Sequence, residues 1–171
     1  MRDWLARQRP QMEYLCPFLT PRFDEARLTL ERLVEERLPQ VVHVMGSSLG
    51  GYWATYLAEK YNLRAVLINP LVQPRRLGNE FIGQELHNYH TDDVYVLEQR
   101  HVEALLEADT PVIKHPENYW LLVQSGDETL DYRLAVEKYA GCRQTVEEGG
   151  DHSFQGFERY IPEVIDFLEQ A

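Results

Sequence analysis

The chain has 171 residues, 44% of them hydrophobic and 26% charged, and its 28 acidic residues against 17 Lys and Arg leave a formal net charge of -11. That length suits one domain with a core that needs no metal or disulfide staples, and the negative charge argues against a nucleic-acid surface, because phosphates would be repelled. Cys16 and Cys142 are the only cysteines and form no C-x-x-C pattern, which speaks against a zinc site or disulfide framework and for a reducing, cytoplasmic setting. No apolar run approaches ~18 residues and Met1-Arg2-Asp3-Trp4 opens no signal-peptide core, so no membrane partner is expected.

Residues 3–8 set Trp4 and Leu5 among charges and stop at Pro10, as the last turns of an amphipathic helix do. Met12-Glu13-Tyr14-Leu15-Cys16 reads as a short strand, ended by Pro17 and a Thr20-Pro21 turn. Over 24–38, Ala26, Leu30, Leu33, Val34 and Leu38 recur on one face, with Glu31, Arg32, Glu35 and Glu36 on the other. This is the pattern of a surface helix packed on a sheet.

Val41-Val42-His43-Val44-Met45 is a β-branched run leading into Gly46-Ser47-Ser48-Leu49-Gly50, a G-x-S-x-G turn before a helix that continues to Tyr61. Such a turn strains its central serine, here Ser48, outward at the top of a parallel sheet. Glycines at 46 and 50 are expected to relieve collisions between the arms of the turn. The Leu49 amide, at the helix N-terminus, could donate to a developing negative oxygen. The alternative is that Ser47 or Ser48 merely caps an ordinary helix.

Ala65-Val66-Leu67-Ile68 follows as a continuously apolar strand and ends at Asn69-Pro70. Over 72–118 the pattern weakens to a loop at 74–83, a polar Asn88-Tyr89-His90-Thr91-Asp92-Asp93 stretch and a helical segment at 95–106. An insertion this long is either a lid over a site or a solvated decoration; as a lid it would line the site with Phe81, Tyr89, Tyr95 and Leu97. Tyr119 to Gln124 is the next strand, 132–139 a helix, 143–148 an alternating edge strand, and the last helix carries Phe157, Tyr160, Ile161, Val164, Ile165 and Leu168 on one stripe. Strands and helices alternate, so the fold class is α/β with a mostly parallel sheet, in one domain over 1–171 with 72–118 as a lid-like insertion.

A serine hydroxyl needs a base, usually histidine, held by a carboxylate. Asp127 follows the Tyr119 strand, and His152 follows the next one in Gly149-Gly150-Asp151-His152-Ser153-Phe154. The C-terminal ends of parallel strands converge, so Ser48, Asp127 and His152 could meet. Asp131 is the rival acid, although it could be a helix cap; Asp151 is expected to point away from its neighbour. Among the remaining histidines His43 reads as a core residue, and His90 with Asp92 and Asp93 is the one arrangement to test for a metal. Neither a metal nor a cofactor is expected.

Gly46-Ser47-Ser48-Leu49-Gly50-Gly51-Tyr52, Ile68-Asn69-Pro70, Tyr95-Val96-Leu97-Glu98, Gly126-Asp127-Glu128-Thr129-Leu130-Asp131-Tyr132 and Val146-Glu147-Glu148-Gly149-Gly150-Asp151-His152-Ser153-Phe154 together resemble the YqiA-type esterases, a small bacterial branch of the α/β-hydrolases. The resemblance implies an α/β-hydrolase fold, Ser48 as nucleophile, Asp127 as acid, His152 as base, and hydrolysis of simple carboxylic esters or acyl-thioesters. It departs at the front. Family members begin with a strand and a His-Gly-Phe turn that supplies a second oxyanion amide, whereas Met1-Arg2-Asp3-Trp4 resembles the helix after that turn. The absent strand would lie between those matching 12–16 and 41–45. Three accounts are open: a recorded start internal to a longer protein, a shift of the Met12 strand into the vacancy, or a second copy filling it as a homodimer. The departure keeps one alternative in play, a non-catalytic hydrolase-like binding or assembly protein.

Overall fold

The computed structural model describes residues 1–75, 82–87 and 94–170. Four strands, β1 (His43–Ser47), β2 (Arg64–Ile68), β5 (Tyr119–Gln124) and β6 (Arg143–Glu147), form a parallel sheet in the order β1-β2-β5-β6. Short strands β3 (Glu85–His87) and β4 (Val94–Val96) pair separately and antiparallel. The register sets Ser47 beside Ile68, Ile68 beside Leu122 and Gln124 beside Glu147, so the main strands end along one edge.

Between Arg64 at the start of β2 and Gln124 at the end of β5, the central strands are apolar because both of their faces are covered, and their period of two divides the core. Ala65, Leu67, Tyr119, Leu121 and Val123 pack with helices α2 (Phe23–Glu35), α3 (Leu49–Tyr61) and α5 (Tyr132–Lys138). Val66, Ile68, Trp120 and Leu122 pack on the other face with α1 (Arg2–Gln8) and α6 (Ile161–Glu169). Helix α4 (Gln99–Glu107) adds a third cluster, in which Val102 and Leu105 meet Phe23 and Ala26 of α2 and Tyr52 and Trp53 of α3. The sheet flanked by helices is the α/β architecture that the alternation of elements predicts.

Several expectations are corrected. Residues 12–16 form no strand: Met12 and Tyr14 pack partly buried against the cluster beneath α1 and α6, and Glu13 pairs with Arg37 at 2.9 Å. Their alternation is satisfied by packing rather than by a ladder. Among the described residues, β1 therefore has no strand on its outer side. Helix α2 stops at Glu35 rather than at residue 38, short of Pro39, whose ring disfavours helical backbone at the residue before it. Within 95–106, Tyr95 belongs to β4, and the helix begins only at Gln99, where Glu98 and His101 form a reciprocal capping box.

His43 sits half-buried in β1 with no partner on Nδ1, and burial, foremost, holds its pKa below the ordinary imidazole value. Among the described residues no helix is long and apolar enough to cross a membrane.

Candidate active site

Strand β1 ends at Ser47 and α3 begins at Leu49, so the whole reversal of the chain falls on Ser48, with φ 53° and ψ -123°. A side-chain-bearing residue avoids this region, and holding it there costs about 1–3 kcal/mol. Hydrogen bonds from both directions enforce it. The Ser48 amide donates to the Ile68 carbonyl at 3.0 Å, and the Ser48 carbonyl accepts from the Gly51 and Leu71 amides, each at 3.0 Å. Ser48 occupies the N-cap position of α3, yet its hydroxyl does not cap the helix. The N-cap alternative raised by the sequence is thereby removed.

Close packing makes the turn depend on glycine, though not at both expected positions. A Cβ on Gly46 would lie 2.0 Å from the Gly50 carbonyl oxygen, and one on Gly51 would lie 2.7 Å from the Pro70 Cβ. A Cβ on Gly50 would meet nothing within 4 Å, so 46 and 51, not 46 and 50, are the constrained pair. Gly46→Ala is accordingly expected to destabilise the fold by about 3 kcal/mol through backbone overpacking. Gly50→Ala, inside α3, is expected to be neutral or stabilising by up to ~1 kcal/mol through helix propensity. Urea unfolding of the two variants measures the contrast.

The loop after β5 carries Asp127, whose side chain is 1% exposed. Its Oδ1 accepts from the Thr129 and Leu130 amides at 2.9 and 2.8 Å, bonds strengthened by the ionised acceptor. The loop after β6 carries His152, 24% exposed, whose Nδ1 lies 2.9 Å from each Asp127 oxygen. Its other nitrogen, Nε2, lies 3.0 Å from Ser48 Oγ. An ionised carboxylate only accepts, so the neutral ring carries its proton on Nδ1 and turns a lone pair on Nε2 towards the hydroxyl. Leu49 is the first residue of α3, so its amide lacks an intrahelical acceptor and stands at the positive end of the helix dipole.

Asp131, the rival acid, caps α5: its carboxylate accepts from the Arg133 amide at 3.1 Å and pairs with the Arg133 guanidinium at 2.8 Å. Asp151 is turned to the Ser153 amide and the Gln155 side chain. Leu97 is buried in the cluster around α4 and so does not line a site. Phe81, Tyr89, His90, Asp92, Asp93 and the Tyr95 side chain lie outside the described residues. An open groove of about 580 Å³ runs along the loop from Ser125 to Arg133, past Asp127. A smaller apolar cavity of about 20 Å³ lies between Leu71 and Val72, beyond β2, and Leu130 and Leu134.

The sequence assigns no role to two residues at strand ends. Asn69, 2% exposed, donates from Nδ2 to the carbonyls of Asp151 and His152, both at 3.0 Å. Gln124, 3% exposed, closes β5 and bonds the same loop. The available signal was a carboxamide immediately after an apolar strand, in Ile68-Asn69 and Val123-Gln124.

The fold is that of the α/β-hydrolases. The chain superposes on Est1E from Butyrivibrio proteoclasticus (TM-score 0.60, 13% identity, 86% of this chain and 72% of that one). It also matches the Paleococcus ferrophilus monoacylglycerol lipase (0.56, 18%, 85% and 74%) and tomato methylketone synthase I (0.61, 13%, 88% and 79%). A lipase and a synthase on one scaffold show that the fold does not select the reaction. The chain belongs to the Uncharacterised protein family (UPF0227), which it matches over residues 1–169.

Proposed function

We propose that the protein is a cytoplasmic serine hydrolase of the YqiA type that cleaves carboxylic esters or acyl-thioesters of simple acyl groups, with Ser48 as nucleophile, His152 as base and Asp127 as acid. One observation carries this reading: an unbroken line of hydrogen bonds from Ser48 Oγ through His152 to a buried Asp127, starting at a serine held at φ 53°.

In that reaction His152 Nε2 takes the hydroxyl proton while Ser48 Oγ adds to the acyl carbon, and the carbonyl electron pair moves onto oxygen. The Leu49 amide and the α3 N-terminus face the new oxyanion. Asp127 stabilises the imidazolium, which then returns its proton to the departing alcohol or thiol as the C–O or C–S bond breaks. Water, deprotonated by the same ring, adds to the acyl carbon, and the ring gives that proton to Ser48 Oγ as the Oγ–C bond breaks and the acid leaves. Residues 72–118 would act as the lid of a single domain over 1–171, with α4 anchoring that lid to α2 and α3.

Fluorophosphonate labelling followed by peptide mapping tests the reading, because such probes modify base-activated serines whatever the substrate. Modification of Ser48 in the wild type, and none in His152→Ala, is the expected result. Labelling elsewhere, or none, overturns it.

The outer edge of β1, which pairs with no strand among the described residues, favours a second reading, a hydrolase-like binding or assembly protein that fills this edge with a second copy. Light scattering combined with esterase assay separates the two: an active monomer eliminates the second.

A further inference from the structure

We propose that Gln124, oriented by Glu147 and seconded by Asn69, is the positioning device that holds His152 between Ser48 and Asp127. The inference rests on the reading of His152 as the base.

His152 belongs to a connection between β6 and the turn at Phe157–Tyr160 that has no ladder of its own. A base on such a loop must still be fixed closely, since a displacement of about 1 Å costs on the order of 10²-fold in rate. The two buried carboxamides grip the peptide groups around it. Gln124 Oε1 accepts from the Asp151 amide at 3.3 Å and the Gln155 amide at 2.8 Å, on either side of His152. Gln124 Nε2 donates to the Gln155 carbonyl at 3.0 Å and to Glu147 Oε2 at 2.7 Å. All four of its hydrogen-bonding positions are filled.

Asn69 completes the grip. Its Nδ2 holds the Asp151 and His152 carbonyls, while its Oδ1 accepts the Gln124 amide at 3.0 Å and its own amide donates to Leu122 at 2.9 Å. The loop is thus tied to the two central strands of the sheet. The approach is close enough to require glycine at 150, where φ is 72° and a Cβ would lie 2.0 Å from Gln124 Oε1.

Glu147 decides which way the Gln124 carboxamide faces. A carboxylate only accepts, so Nε2 turns towards it and Oε1 is left for the amides of the loop. Arg159 foremost, then the Tyr160 hydroxyl and Gln124, hold the Glu147 carboxyl down to about 2, so it remains an acceptor at neutral pH.

The test compares Gln124→Met, Glu147→Leu and Glu147→Gln with the wild type. One readout is kcat and KM on an aryl ester together with the rate of Ser48 phosphonylation. The second is the NMR signal of the His152 Nδ1 proton in ¹⁵N-histidine-labelled protein. Gln124→Met is expected to lower kcat and phosphonylation by about 10²-fold with KM within about twofold, and to broaden or lose the Nδ1 proton signal. Glu147→Leu should act in the same direction, and Glu147→Gln, which keeps an acceptor oxygen, should restore most of the loss. Glu147 lies on the edge strand, so its variants leave the core intact should Gln124→Met fail to fold. Wild-type kcat and an unchanged proton signal in Gln124→Met, or in Glu147→Leu, overturn the proposal. A wild type that never labels at Ser48, but whose Nδ1 signal is lost in Gln124→Met or Glu147→Leu, sinks the catalytic reading and leaves the positioning role standing.

Discussion

Ser48→Ala is expected to lower turnover of an aryl ester by about 10⁴- to 10⁶-fold while leaving the far-ultraviolet spectrum and the melting temperature nearly unchanged. The substitution removes the oxygen proposed to attack but leaves the His152–Asp127 pair and the α3 N-terminus in place. Residual rate would come only from oxyanion stabilisation and binding. The fold should tolerate it, because Ser48 Oγ bonds His152 and caps nothing, and alanine meets the same backbone angles that serine already bears. The lost hydrogen bond is worth about 1 kcal/mol. Ser47→Ala is the matched control: this neighbour is exposed at the end of β1, and its variant should retain wild-type kcat. Full activity in Ser48→Ala would mean that another residue supplies the nucleophile.

Much of the scaffold behind that experiment is legible in the sequence, for physical reasons that also mark where reading fails. Ala65-Val66-Leu67-Ile68 and the run from Tyr119 to Val123 can be read because strands covered on both faces are built of apolar side chains. The meeting of Ser48, Asp127 and His152 follows from parallel strands whose ends share an edge, together with one conspicuous residue after each of three of them. The alternation at 12–16 misleads because Met12 and Tyr14 can bury one face against the core without any ladder, and period two describes both outcomes. Tyr95 reads as helical because nothing short of the Glu98–His101 cap marks the true start of the helix. Gly51 rather than Gly50 faces Pro70, a matter of which side of α3 touches the end of β2, and spacing within the turn does not encode that. Asn69 and Gln124 escaped for a similar reason. A carboxamide at the end of a strand looks like a solvated loop residue until the loop 27 to 83 residues away is folded against it.

Asp127→Asn is expected to lower kcat by about 10⁴-fold although it changes one atom and scarcely any volume. In the wild type, Asp127 Oδ1 is held by the Thr129 and Leu130 amides, and both oxygens face His152 Nδ1. Asparagine has a single acceptor oxygen, and the two backbone donors claim it. Its NH₂ group must then occupy the Oδ2 position and donate towards the ring. Nδ1 answers by giving up its proton, so the imidazole carries hydrogen on Nε2, aimed at Ser48 Oγ. In that tautomer the ring cannot accept the hydroxyl proton, and phosphonylation of Ser48 should slow in parallel with kcat while KM stays near its wild-type value. Asp131→Asn provides the opposing case. Its carboxylate caps α5 and pairs with Arg133, so the variant should lose about 1 kcal/mol of stability or less, because asparagine also caps well, and keep its turnover. If Asp131→Asn rather than Asp127→Asn abolished activity, the acid would have been assigned to the wrong turn of the chain, and the ring geometry at His152 would have to change before reaction.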